Sequence, residues 1–366
     1  MRPRITDWGL ALLVGAAFGT GLWTFTVGRR ELDWVFVLHG GLGFGLGALT
    51  LIKLRRVAGR LLPRGGVPPP TYRDPRTVAG VATALLVLLT LLTGVWWVYG
   101  GALVVWGYNL LNWHVVAAFA LLLLVSAHMV ARAKPLRRAD LSDRRQALRL
   151  GGLVLGGLVL APLQHMVQGL LRMPGAERRF TGSRERDSFA GNAFPTVSWI
   201  ADNPPPLDPA GWTLAVGGAV RRALALPYRE VARDDTQTAT LDCTGGFYST
   251  QVWRGLRVGA LLDRARLLPE ATHVRFLSVT GYRWSLPLPA AREALLATHL
   301  GGEPLSHGHG APARLVAPDE RGFVWVKWLV AVEVLTGPDP GQLLAINLSS
   351  LRGADEAQTS SGNDQR

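Results

Sequence analysis

The sequence is poor in cysteine, with one in 366 residues, and short of acid, with 26 Asp and Glu against 39 Lys and Arg. A lone cysteine excludes an internal disulfide framework, so the chain is not a stapled secreted domain and Cys243 needs another explanation. The acid deficit leaves a formal charge of +13, which on one soluble face would point to nucleic acid. Most of that charge instead sits in segments between long apolar runs. Apolar residues make up 48% of the chain, and its length suffices for two domains.

Five apolar stretches, at 8–27, 34–54, 77–99, 110–131 and 150–171, are each near the roughly 20 residues that cross a bilayer as helix. Between the second and third lie Lys53, Arg55, Arg56, Arg60, Arg64, Arg73 and Arg76; before the fifth lie Arg132, Lys134, Arg137, Arg138, Arg144, Arg145 and Arg149. The connection 99–109 has no basic residue, and in 28–33 Arg29 and Arg30 are balanced by Glu31 and Asp33. Positive-inside bias therefore predicts a cytoplasmic N-terminus, with everything after about residue 172 outside the cell membrane. The charge reads as topology, and nucleic acid is not an expected partner.

Four histidines stand within three of these spans: His39, His114, His128 and His165. Ionisable residues in a span are functional by default expectation. His114 and His128 lie on one face of one helix about 21 Å apart along its axis, a spacing suited to two haems stacked across a membrane. The matching position 14 beyond His39 is Lys53. His39 and His114 fall near the outer surface and form a candidate axial pair for one b-type haem; His128 and His165 are further candidates for haem iron. The alternative for each is a hydrogen bond to a neighbouring helix. The arrangement resembles the dihaem membrane cytochrome b families, from which Lys53 departs, so one haem is expected and a second is the variant reading. Glycines 40, 41, 43, 45 and 47 fit close approach of either a macrocycle or another helix.

Before the fifth run, Leu141-Ser-Asp-Arg-Arg-Gln-Ala-Leu-Arg149 resembles a twin-arginine export signal placed internally; the alternative is two more inside charges. From about 185 to 337 the texture is short β-rich runs with Gly and Pro punctuation. Strands are predicted at 212–216, 238–242, 274–279, 284–288, 313–317 and 323–335, and helices at 227–233, 258–266 and 290–298. The expected architecture is a membrane all-α helical bundle of five transmembrane helices followed by a soluble α+β domain. Its divisions are 1–135 (four helices), 136–175 (export-like segment and fifth helix), 180–337 (soluble domain) and 338–366 (tail), with 353–366 disordered.

Four motifs stand in order in the second half: Leu241-Asp-Cys-Thr-Gly-Gly, Val252-Trp-Arg-Gly-Leu-Arg-Val258, His309-Gly-Ala-Pro-Ala-Arg-Leu-Val-Ala-Pro318 and Gly322-Phe-Val-Trp-Val-Lys-Trp328. Together they resemble the oxidoreductase molybdopterin-binding domain, the sulfite oxidase fold. The resemblance implies a molybdenum-molybdopterin cofactor whose metal is ligated by Cys243. Asn192, Phe194, Thr244, His309, Arg314 and Lys327 would contact the cofactor, and arginine and lysine are what a buried phosphate demands. Taken alone, Cys243 would be a small buried hydrophobe. The segment Thr244-Gly245-Gly246-Phe247-Tyr248 lacks the arginines of sulfite oxidases proper and suits a neutral oxide, although Arg254, Arg257 and Arg283 are available from other segments. Tyr248 and Tyr282 are candidate proton donors.

The whole implies a membrane-anchored molybdenum enzyme that exchanges an oxygen atom with a small S- or N-oxide, its electrons relayed through haem to or from membrane quinone. The nearest analogy is the bacterial methionine-sulfoxide reductase system. A rival reading is a haem electron-transfer or sensor protein with a cofactor-free soluble domain; a third is a transporter-like protein with a binding domain.

Overall fold

The computed structural model describes residues 2–61, 75–132, 134–137, 140, 144–198 and 202–348. The segments 62–74, 141–143 and 353–366, which carry part of the predicted inside charge, the start of the export-like motif and the predicted tail, lie outside the described residues. The chain divides into two compact units, Met1–Gly182 and Ser183–Arg366.

The first unit is built on helices α1 (Pro3–Thr24), α2 (Trp34–Leu61), α3 (Pro75–Tyr99), α4 (Leu110–Arg132) and α5 (Arg144–Leu170). All five are long and apolar enough to cross a membrane. α1 lies on α2 and α3 on α4, while α2 packs most extensively on α5 and α1 also meets α4. Glycine makes the contact of α2 with α5 close. A Cβ on Gly157 would collide with the Gly41 carbonyl oxygen, and one on Gly41 would stand 2.7 Å from a Leu158 methyl. Gly41 and Gly157 thus serve helix approach. Large apolar side chains such as Leu92 and Leu123 remain about two-thirds exposed or more along the helices, the opposite of a water-facing bundle. Between α3 and α4, β1 (Val104–Val105) and β2 (Tyr108–Asn109) form a two-residue hairpin turning through Trp106 and Gly107, both at positive φ. Arg144 and Arg145 form the first turn of α5 rather than a separate loop.

The second unit carries β3 (Arg184–Glu185), β4 (Thr213–Gly218), β5 (Leu224–Pro227), α6 (Tyr228–Val231), β6 (Asp235–Asp242), β7 (Phe247–Arg257), α7 (Val258–Ala265), β8 (His273–Ser278), β9 (Arg283–Pro287), α8 (Leu288–Glu293), β10 (Leu295–Leu300), β11 (Glu303–Pro304), β12 (Arg314–Val316), β13 (Leu329–Leu335) and α9 (Gln342–Leu348). One sheet runs β11-β10-β7-β3, with β12 joined to β10 and β6 to β7; the other runs β5-β4-β13-β8-β9. Pairing is antiparallel except for β3 with β7 and β4 with β13. The core includes Trp253, Phe276, Leu295, Leu315 and Trp325.

Three expectations need correction. The predicted helix 290–298 ends at Glu293, and Leu295–Leu300 is a strand buried on both faces, so its apolar run reflects burial rather than helical period. The predicted strand 323–335 begins only at Leu329: a 3-10 turn occupies Gly322–Val324, and Trp328 at φ 50 interrupts extension. That break lets Trp325, Val326 and Trp328 all be buried. The central strand β7 was not anticipated. Gly255 obscures its alternation, yet a Cβ there would collide with the Leu296 carbonyl across the sheet.

Candidate active site and histidine pair

Cys243 sits in the tight connection from β6 to β7. Its N–H donates to the Phe247 carbonyl at 2.8 Å, and Gly246, at φ 90, returns its N–H to the Cys243 carbonyl at 3.0 Å. The Gly245 N–H points at Sγ, 3.3 Å away. Burial pushes the thiol pKa up, against the pull of that N–H and of the Arg321 charge. The side chain is therefore a thiol by itself and a ligand only when a cation replaces its proton.

The loop is held from behind by a buried ion pair. Arg321, 4% exposed, donates to Asp242 Oδ1 at 2.7 Å and to the Cys243 carbonyl at 3.4 Å. The Ser183 hydroxyl donates to the same Asp242 oxygen at 2.6 Å. Sequence reasoning missed both charged partners; the only signal was an acid directly before the cysteine and an arginine directly before Gly322.

Cys243 and Thr244 open onto a cavity of about 100 Å³ walled by Asp202, Tyr282, Phe323, Trp325 and Lys327, among others. Among the described residues lining it there is no arginine. Arg254 pairs with Asp234, Arg283 with Asp339, and Arg257 donates to the Thr236 and Glu293 carbonyls, so none of the three serves the cavity. Tyr282 lines the cavity, but its hydroxyl donates to the Phe323 carbonyl at 2.6 Å, which fixes the ring as a wall. Tyr248 is half-buried on β7 and does not line it.

His309, Arg314 and Lys327 gather beside this cavity. Arg314, 1% exposed, lies between the Trp253 and Trp325 rings, 5.2 and 5.6 Å from their centroids, and donates to the His309 and Trp325 carbonyls. Its Nε is buried without a hydrogen-bond partner, and burial draws its pKa down to about 9. His309 Nδ1 pairs with Ser306 Oγ at 2.8 Å, leaving Nε2 buried and unpartnered. Burial, then the Arg314 and Lys327 charges, hold its pKa at about 4, so the ring is neutral at physiological pH. Lys327 Nζ donates to the Val197 and Gly308 carbonyls and to Ser198 Oγ. Asp202 Oδ1 is also buried without a partner. Phe194 packs on His309 with centroids 4.2 Å apart. Asn192 spends its amide on the Pro304 carbonyl and the Ser306 N–H, holding the His309 loop rather than facing the cavity. Buried nitrogens on His309 and Arg314 without partners, with little acid nearby, fit a polar anionic group.

Burial, then the Arg314 charge, lowers the Lys327 pKa from 10.5 to about 7. Between those values the folded protein binds fewer protons than the unfolded chain, so stability rises with pH across that window. Cofactor-free protein should show a melting temperature that climbs from pH 7 to 10.5 through this group. Lys327→Met should remove its share, and so should loading with an anionic cofactor that restores the charge. An unchanged climb in Lys327→Met would assign it elsewhere.

In the helical unit His39 and His114 are brought together, with ring centroids 6.2 Å apart and planes at 89°. Each spends Nδ1 on its neighbouring helix, His39 on the Ala17 carbonyl at 3.0 Å and His114 on the Thr90 carbonyl at 2.9 Å, so the lone pair of each ring lies on Nε2. A metal held axially by two imidazoles through bonds of about 2 Å separates their centroids by roughly 6 Å. His128 is half-buried on α4 and His165 exposed on α5. Lys53, which stands where a fourth histidine would complete the pattern, pairs with Asp7 at 3.0 Å.

Residues 201–343 match the oxidoreductase molybdopterin binding domain family. Among curated proteins the chain is similar to the protein-methionine-sulfoxide reductase catalytic subunit MsrP of Gluconobacter oxydans, 29% identical over 154 residues, which is 36% of this chain and 49% of that protein. It is 32% identical to the mitochondrial sulfite oxidase of Rattus norvegicus over 38% of this chain and 34% of the relative. The oxidoreductase YuiH of Bacillus subtilis is 30% identical over 41% of this chain and 77% of its own length. The chain thus spans about half the length of the first of these relatives and a third of the second.

Proposed function

Because the chain belongs to the oxidoreductase molybdopterin binding domain family, we propose that it is a membrane-anchored molybdenum enzyme that reduces a small S- or N-oxide with electrons relayed from membrane quinol through b haem. The observation that carries the reading is the position of Cys243. The chain's one cysteine lines a cavity flanked by buried, unpartnered nitrogens of His309 and Arg314. When bound, the cofactor supplies two-electron oxygen-atom transfer. The protein contributes the Cys243 thiolate, steadied by the Gly245 N–H, and a loop pinned by Arg321. His309, Arg314 and Lys327 would hold the anionic parts of the cofactor, and Thr244 would contact it. Lys327 Nζ, on the cavity wall, would be held protonated by that anionic charge. The absence of arginine among the described lining residues, with Phe323, Trp325 and Tyr282 in place, favours a neutral oxide over sulfite. A methionine-sulfoxide reductase among the relatives fits the reductive direction.

His39 and His114 would hold one haem and supply single-electron relay. The five apolar helices and the asymmetry of basic residues support a multi-pass anchor with the molybdenum domain on the outer face. Metal and pterin analysis of the purified chain tests the central claim: about one molybdenum and one pterin per chain are expected, and haem without either would leave an electron-transfer protein. The export route has its own test. Arg144→Lys with Arg145→Lys should reduce to background the fraction of the domain that protease reaches from outside the cell membrane. Undiminished exposure would reduce the pair to ordinary inside charges.

A further inference from the structure

The two helical hairpins that supply His39 and His114 carry the same short motif. Thr20-Gly21-Leu22-Trp23 stands on α1 and Thr93-Gly94-Val95-Trp96 on α3, and each precedes its histidine by a similar interval, 19 residues in one hairpin and 21 in the other. The contacts repeat atom for atom. Thr20 Oγ1 is 3.2 Å from His39 Nδ1, and Thr93 Oγ1 is 3.2 Å from His114 Nδ1. Both rings also meet the carbonyl three residues before that threonine, Ala17 or Thr90. Each threonine hydroxyl lies 2.8–2.9 Å from a carbonyl four residues back, Ala16 or Leu89, which takes its proton.

These partners settle the tautomer on chemical grounds. A carbonyl only accepts, so Nδ1 carries the proton in both rings and Nε2 keeps its lone pair. The threonine oxygen, its own hydrogen already spent on the helix, is a second acceptor for the same N–H. Two acceptors on one side of a ring fix its rotation as well as its position. The glycine beside each threonine clears the space: a Cβ on Gly21 would lie 3.1 Å from His39 Cε1, and one on Gly94 3.0 Å from His114 Cε1. Each hairpin is therefore a half-site that presents one imidazole in one orientation, and the two halves meet with the ring planes at 89°.

We infer that Thr20 and Thr93 are positioning residues of a duplicated half-site that locks two axial imidazoles at right angles to each other on a single low-spin haem iron. The inference rests on the haem reading above. Perpendicular ligand planes act on two different iron dπ orbitals, leaving them nearly degenerate; parallel planes act on one and split the pair. The first arrangement gives an oxidised haem with a strongly anisotropic electron paramagnetic resonance signal dominated by one high-g feature, the second a rhombic three-line signal. Hydrogen bonding at Nδ1 also makes the imidazoles more electron-donating, which favours ferric iron.

The test uses the full-length protein purified from membranes, with haem content read as its pyridine complex and the oxidised centre by electron paramagnetic resonance. Wild type is expected to show the single high-g signal. Thr20→Val and Thr93→Val should each move it toward a rhombic or heterogeneous signal and raise the midpoint potential, while Thr20→Ser and Thr93→Ser, which keep the oxygen, restore both. Gly94→Ala should perturb the signal by pushing the ring. Loss of haem from a valine variant with retention in its serine counterpart supports the same role. A rhombic wild-type signal, or valine variants that keep the wild-type signal and potential, would overturn the inference while leaving the haem itself in place. Wild-type protein without protohaem would instead remove the haem reading beneath it.

Discussion

Cys243→Ser is expected to lower oxide-driven turnover by more than about 100-fold, since even partners behind a metal ligand are typically worth 10–100-fold. Serine keeps the shape and still accepts the Gly245 N–H that now points at sulfur. What it loses is a group that gives up its proton to a metal; an alcohol does so far less readily than a thiol. The fold should tolerate the exchange at a cost of about 1–3 kcal/mol for a buried hydroxyl, because Cys243 packs at the edge of the core and its backbone carries the loop hydrogen bonds. The assay reduces the haem chemically and follows its reoxidation by candidate S- and N-oxides. Wild type should reoxidise with a preferred oxide, while the variant keeps its reducible haem and fails to respond. A variant within a few-fold of wild type, with its molybdenum retained, would remove Cys243 from the metal.

The reach of the sequence follows from how each residue does its work. The five helices were legible because lipid-crossing length and apolarity are local properties of a run, and α1 to α5 match the expected stretches closely. His39 and His114 were legible from their types and depth, and the structure brings their rings together. The motif around Cys243 was legible because tight turns and a lone thiol leave local traces in the sequence. Partners distant in sequence were not. Arg321 lies 78 residues from Cys243 and meets its carbonyl only once the chain beyond β12 has returned to the end of β6. Asp202 reaches the cavity from a proline-rich segment that offers no periodicity. Asn192 was expected at the cofactor because its motif suggested it, yet its amide is tied into the His309 loop. The repeated Thr-Gly pair was present in the sequence all along, but only contact with the imidazoles gives it meaning.

Arg321→Leu should be the most destabilising single change in the sheet-rich unit. Asp242 is 2% and Arg321 4% exposed, so neither charge has water to fall back on. Removing the guanidinium takes the cation from Asp242, and the Ser183 hydroxyl that also donates to it is a weak replacement for a charge. Breaking a buried pair in this way costs about 3–5 kcal/mol, which for a unit of this size corresponds to a fall in melting temperature of roughly 10 °C. The damage should be chemical as well, because Arg321 also holds the Cys243 carbonyl, and molybdenum occupancy should drop together with stability. A double replacement separates the two effects. Arg321→Leu with Asp242→Leu removes both charges and should recover much of the stability, since the penalty comes from the stranded charge. It cannot recover the donor to Cys243, so cofactor occupancy should stay low. If Arg321→Leu unfolds within about 1 kcal/mol of wild type, the pair is no more than an exposed ion pair in its energetics. Recovery of stability with occupancy still low would show that the pair persists for the cysteine loop rather than for the fold.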